Sequence, residues 1–313
     1  MTPRPIIIDT DPGQDDAVAI LVALASPELD VRAITTVAGN VPLDRTTRNA
    51  LSLVELARRP EVPVHPGCSR PMVNRLVTAE HVHGPTGLDG AGLPRPSVAA
   101  RDSHAIDAII ELAGQAGDRG ITLCALGPLT NVAMAMVKAP DIVNQIDQVV
   151  LMGGGFFEGG NVTPAAEFNI YVDPHAASVV FTSGVPLVMM PLDVTHKALT
   201  TVSRVEAFAA LGTPAGDAVA GMLDFFDRHD KEKYHSEGAP LHDPCVIAYL
   251  LDPGLFGGRR CNVQIETAPG PTQGMTLVDW WGVTGAEANA LVMNEIDDDR
   301  YFGLLLERIT RIR

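Results

Sequence analysis

Residues 6–16 read IIIDTDPGQDD, so that four carboxylates, Asp9, Asp11, Asp15 and Asp16, fall within eight residues directly after three isoleucines. Like charges this close repel one another unless something positive sits among them. The residue types therefore ask for a cation, and carboxylate oxygens are ligands of the hard cations calcium and magnesium. A helix N-terminus stocked with acids to offset its macrodipole would account for Asp15 and Asp16, but not for Asp9 and Asp11 at a strand end. An EF-hand does not fit, because its ligand spacing and closing glutamate are missing.

Three more stretches carry candidate chemistry. LHDPC, at 241–245, adds Asp243 as a ligand candidate far away in sequence. Beside it, His242 could donate a proton to a leaving group, the plain alternative being a loop histidine satisfied by its surroundings. GGGFFEGGNVTPAAEFNIYVDP, at 153–174, has glycines that let backbone approach a ligand and three groups suited to hydroxyls, Asn161, Glu167 and Asn169. With Phe156, Phe157 and Phe168 and no Lys or Arg among them, it fits a sugar better than a phosphate. HVHGPTGLDG, at 81–90, places His81 and His83 on opposite sides of an extended chain, which argues against a two-histidine clamp. His83 in a mobile loop over a pocket is the expectation. No G-x-G-x-x-G, P-loop or G-x-S-x-G stretch is present, so no nucleotide cofactor is implied.

These groups need elements to position them. Short β-branched runs alternate with longer helical patterns. Strands are expected at Ile6–Ile8, Val31–Val37, Val62–His65, Ile121–Ala125, Gln148–Met152 and Leu187–Met190, and helices at Asp15–Ala25, Arg45–Ala57, Leu129–Val137 and His175–Ser183. The alternation predicts an α/β fold with an open, largely parallel sheet flanked by helices. It is not traced past residue 245. One domain is expected over 1–313, because no linker divides it, with an irregular excursion at 66–104 and a helical one at 195–244 that could cover a site. Asp9 and Asp11, Asn40, Leu126 and Gly127, Gly153–Gly155, and Asp193 each follow a strand, and ligands of such sheets bind beyond the strands' carboxyl ends.

A formal net charge of −15 without any basic run excludes nucleic acid bound through its phosphates. The longest apolar run, Ala17–Ala25, falls far short of the roughly 20 residues that cross a bilayer. Ile6–Ile8 is too short for the apolar core of a leader, and the four cysteines are scattered, so a reducing cytoplasmic setting is expected.

With DTDPGQDD, VAGN, LGPLTN, VVLMGGG, AEFN and HDP in that order, and PLDVTHKA at 191–198, the sequence resembles the inosine–uridine-preferring nucleoside hydrolases from about residue 5 to beyond 245. The resemblance implies a calcium-dependent hydrolase that splits the N-glycosidic bond of purine or pyrimidine ribonucleosides, acting as a homodimer or homotetramer. It implies Asp11, Asp16 and Asp243 as calcium ligands with the main-chain carbonyl of Leu126, and Asp11 as the base that takes a proton from calcium-held water. Asp15, Asn40, Asn161, Glu167 and Asn169 would bind ribose, Asp9 would support the ligands, and His242 would stand near the base. Base contacts would come from the irregular stretches, where His83, Phe226 and Tyr234 are candidates. A haloacid dehalogenase-type phosphatase also places D-x-D after a first strand, but expects Thr or Val where Gly13 stands and a phosphate-holding Lys. A non-catalytic nucleoside or calcium binder would be expected to lack an ion ligand, and none of the three aspartates is missing.

Overall fold

Runs of Ile, Val and Leu bounded by turn residues become strands that are buried on both faces, as parallel strands between helical layers must be. The computed structural model describes residues 2–234 and 238–313, and for residues 227–234 the helix alone. In chain order the strands are β1 (Arg4–Thr10), β2 (Leu29–Thr36), β3 (Val64–Pro66), β4 (Ile121–Ala125), β5 (Ile146–Met152), β6 (Leu187–Met190), β7 (Leu199–Thr201), β8 (Gly238–Pro240), β9 (Phe256–Cys261), β10 (Val263–Ile265), β11 (Thr276–Val278) and β12 (Ala290–Ile296).

Eight of these form one sheet in the order β3-β2-β1-β4-β5-β6-β12-β9. Every neighbouring pair is parallel except β12 with the edge strand β9. The expected largely parallel sheet is therefore present. The order turns back between β1 and β4, and such a switch point opens a crevice at the strands' carboxyl ends. Alternation along β1 sends Ile6 and Ile8 into the apolar layer on one face and Ile7 into the layer on the other.

The helix Gln14–Leu24 is buried along its whole length and carries Asp15 and Asp16 in its first turn. Residues 66–104 contain the short helix Glu80–His83 ahead of an irregular run. The expectation of a helical 195–244 holds for Val202–Ala209 and Pro214–Tyr234, to which the structure adds the antiparallel pair β7 and β8. The last helix, Asp298–Ile309, packs on the first face. Arg308 donates to both Glu28 oxygens at 2.9 Å, and the buried Tyr301 hydroxyl donates to the Leu241 carbonyl at 2.9 Å, bracing the chain just before His242. Among the described residues, no helix is long and apolar enough to cross a membrane.

Candidate active site

The end of β1 delivers Asp9 and Asp11 to the crevice, and the turn that follows hands Asp15 and Asp16 to a helix N-terminus. The Thr10 hydroxyl donates to Asp16, as does the Gly13 N–H at 2.9 Å. The Asn40 N–H donates to Asp11 Oδ2 at 2.7 Å, while Asn40 Nδ2 lies 3.2 Å from both the Asp11 carbonyl and Asp16 Oδ2. Asn40 therefore orients the acids and reaches the cavity as well. Glycine backbone closes on the Asp11 carboxylate from two strand ends. A Cβ at Gly39 would lie 2.0 Å from Oδ2, and one at Gly127 would lie 2.2 Å from Oδ1, so no larger residue fits either position with Asp11 where it is. Asp9 sits behind them. Its Oδ1 accepts from Thr35 Oγ1 at 2.5 Å and Asn131 Nδ2 at 2.8 Å.

Asp243 arrives at the N-terminal end of the helix Pro244–Leu251. Carboxylate oxygens of Asp15, Asp16 and Asp243 lie within 4.8 Å of one another, all three side chains being buried. Burial first, then the Asp16 charge, pushes Asp15 up to about 8. Asp11 is raised by burial and then by Asp16, and Asp243 by burial and then by Asp15. Asp16 is raised by burial against the hydrogen bonds it accepts. Among the described residues, Asp15 Oδ1 and Asp9 Oδ2 have no hydrogen-bond partner. Among the described residues lining the adjoining cavity there is no Lys or Arg. Four buried acids, an orphaned oxygen and no protein cation make a donor set that fits a bound hard cation.

The cavity, of about 540 Å³, opens over this cluster. Asp15 and Asp243 line it, whereas Asp11 and Asp16 are sealed at 1% and 0% exposure. Leu126 lines it too, and its carbonyl accepts from Asn169 Nδ2 at 2.7 Å. Asn161, Glu167 and Asn169 come together on the same wall. Glu167 accepts from the Gly154 N–H at 2.8 Å and the Asn169 N–H at 2.9 Å, capping the helix Phe168–Val172. Burial pushes its carboxyl up to about 7 in spite of these donors. Asn161 Oδ1 accepts from the Phe168 N–H at 3.0 Å.

His83 is not in a mobile loop. It ends the helix Glu80–His83, is buried, and lies with Nδ1 2.6 Å from Gln14 Oε1. Gln14 Nε2 donates to the carbonyls of His83 and Asp89, which leaves Oε1 as the acceptor and makes His83 Nδ1 the donor. The ring stacks on Phe226 at 5.5 Å. The irregular composition of 66–104 hid this tether, because Gln14 lies 69 residues away. His242 Nδ1 is 2.7 Å from Thr195 Oγ1, and burial, with His196 and His83 nearby, pushes its pKa down to about 3. Of the base-contact candidates, His83 and Phe226 line the cavity, and the Tyr234 side chain lies outside the described residues. Sequence reasoning missed Gln14, Glu158, Thr195 and His196. Thr195 and His196 are adjacent, but no spacing joins them to Gln14 or Glu158; only the fold does.

A model of the family "Inosine-uridine preferring nucleoside hydrolase" matches residues 6–303. The chain is 49% identical over 307 residues to an uncharacterized protein of Schizosaccharomyces pombe, covering 98% of this chain and 99% of that one. It is 47% identical over 306 residues to the pyrimidine-specific ribonucleoside hydrolase RihA of Salmonella agona, covering 97% and 98%. Among solved structures, the purine-preferring ribonucleoside hydrolase from Gardnerella vaginalis superposes with a TM-score of 0.92 at 35% identity, covering 98% of each chain. The plant nucleoside hydrolase PpNRh1 gives 0.91 at 35%, covering 98% and 99%. With near-complete coverage in each comparison and a cavity lined by buried acids and side-chain amides, this chain belongs to the inosine-uridine preferring nucleoside hydrolase family and is an enzyme that hydrolyses ribonucleosides.

Proposed function

We propose that the enzyme releases ribose and free base from pyrimidine ribonucleosides in preference to purine ones, with calcium as the resident cation and Asp11 as the base. The observation that carries the site reading is the buried cluster of Asp15, Asp16 and Asp243 under a cavity whose wall presents Asn161, Glu167 and Asn169. The pyrimidine preference is supported by 47% identity to a pyrimidine-specific relative, against 35% to a purine-preferring one.

Asp11, Asp16, Asp243 and the Leu126 carbonyl would hold the ion, and Asp15 adds a carboxylate to the same volume. When bound, calcium would supply Lewis acidity toward water and a template for the ribose 2′ and 3′ hydroxyls. Asp11 takes a proton from the attacking water, its carboxylate aimed by the Asn40 N–H and the glycine walls. Asp15, Asn40, Asn161, Glu167 and Asn169 bind ribose hydroxyls, and the carboxylates stabilise the positive charge that grows on the sugar as the bond breaks. With His242 neutral near pH 7, we assign it a hydrogen bond to the departing base from Nε2–H, the Thr195 hydroxyl holding Nδ1 as acceptor. His83 packs at the base with Phe226. Asp9 keeps the strand end in place.

We further propose a homodimer or homotetramer, which sedimentation equilibrium tests, and a cytoplasmic location, supported by four unpaired cysteines. Ribose release from uridine, cytidine, inosine and adenosine, each with and without a chelator, tests the chemistry. Activity that survives exhaustive chelation refutes the cation, and faster turnover of inosine than of uridine refutes the preference.

A further inference from the structure

Five consecutive backbone N–H groups after β5 are each taken by a side chain. Gly154 donates to Glu167 at 2.8 Å and Gly155 to Thr276 Oγ1 at 3.0 Å. Phe156, Phe157 and Glu158 all donate to the Asp193 carboxylate, at 2.8, 2.8 and 3.1 Å. A loop whose amides are bound this densely has little freedom. What it presents to the cavity is the Glu158 carboxylate, which lies 3.2 Å from His196 Nδ1. His196 lines the cavity as well, its ring centroid 5.8 Å from that of His242. Asp193 and His196 sit in and just after the short helix Leu192–Thr195, so one turn of chain both anchors the loop and supplies the imidazole that the loop then orients.

We propose that His196 is a specificity-determining residue that hydrogen-bonds the departing base, with Glu158 and Asp193 as positioning residues acting through it. A carboxylate accepts, so Glu158 makes Nδ1 the N–H donor of the ring and leaves Nε2 for the substrate. The placement of the base follows from the proposed function, on which this inference rests. With ribose over the acids, the heterocycle is left to the part of the cavity lined by Phe226, His242 and His196, whose two imidazoles lie tilted 55° to each other. A group built to pair with a base heteroatom discriminates against leaving groups that lack one, since its own polar atom is then left unpaired.

The test compares uridine with 4-nitrophenyl riboside, whose leaving group offers no ring heteroatom. In His196→Ala, the ratio of kcat/KM on uridine to that on the nitrophenyl riboside should fall about 10- to 100-fold. Glu158→Ala should lower the same ratio, and Glu158→Gln, whose amide oxygen still accepts from Nδ1–H, should restore most of it. Glu158→Ala combined with His196→Ala should be no worse than His196→Ala alone, as expected when one residue acts only through the other. Equal losses on both substrates, as a misfolded variant or a merely structural role would give, overturn the proposal. So do additive losses in the double variant, or a ratio that stays at the parent value. Failure of the ribose and cation assignments would appear separately, as Asp243→Ala enzyme with unaltered metal content and turnover.

Discussion

At the scale of single residues, the proposed chemistry turns on which acid takes the proton and which would hold the ion. Asp11 is enclosed by Gly39 and Gly127 and fixed by the Asn40 N–H, whereas Asp15 reaches the cavity with one oxygen that has no partner among the described residues. Asp11→Asn keeps the shape but removes the proposed proton acceptor, and should reduce kcat by on the order of 10²–10⁴. Asp15→Asn should act mainly on KM, because its carboxylate is assigned to the sugar. Steady-state kinetics on the two variants separate the roles, and a larger kcat loss in Asp15→Asn would transfer the base to Asp15. Asp243→Ala should lower the bound metal measured by elemental analysis, since it removes one member of a cluster spanning 4.8 Å.

At the scale of elements, the strand ends act as a jig. Gly39 follows β2 and Gly127 follows β4, and both press on the acid that follows β1. Gly127→Ala places a methyl where Asp11 Oδ1 lies, at 2.2 Å, so the carboxylate must move. The expected result is a loss of about 10²-fold in kcat/KM, of the size a roughly 1 Å misplacement produces. Near-parent kinetics would show that the strand ends give way instead. Glu167 joins structure to function in another way, because it accepts backbone N–H groups from Gly154 and Asn169 while lining the cavity. Glu167→Ala should lower unfolding stability by about 1–3 kcal/mol, the cost of a lost cap and stranded donors, and a urea titration measures it.

At the scale of the whole molecule, the buried acids couple stability to pH and, on the proposed function, to a bound cation. Asp9 and Glu167 are pushed up to about 7 and Asp15 to about 8, each by burial. Between the usual carboxylate range and these values, the folded chain holds protons that the unfolded chain has released. Stability from these groups is therefore greatest in acid and declines as pH rises from about 4 to about 8. A bound divalent cation favours the ionised acids and works against that decline. In the presence of a chelator, Tm should fall between about pH 5 and pH 8, and the increase in Tm on adding calcium should grow over the same interval. Differential scanning calorimetry checks both, and a chelated protein whose Tm rises across that interval would contradict the coupling.

Much of the sheet and part of the site could be read from residue order. Strands at Ile121–Ala125 and Leu187–Met190 have the bounds expected from β-branched runs, because parallel strands buried on both faces must be continuously apolar. The early aspartates pointed to a cation because like charges at that spacing repel strongly unless a positive charge lies among them. The C-terminal strands β9 to β12 were not traced, since FGGRRC and the polar positions of ALVMNEI lack such a run, the first being an edge strand half open to water. Tertiary structure alone decided the rest. It brought Asp15 and Asp16 within reach of Asp243, tied His83 to Gln14, and set Glu158 against His196. These pairs are remote in sequence, and local periodicity carries no information about contacts that exist only once eight strands have chosen their neighbours.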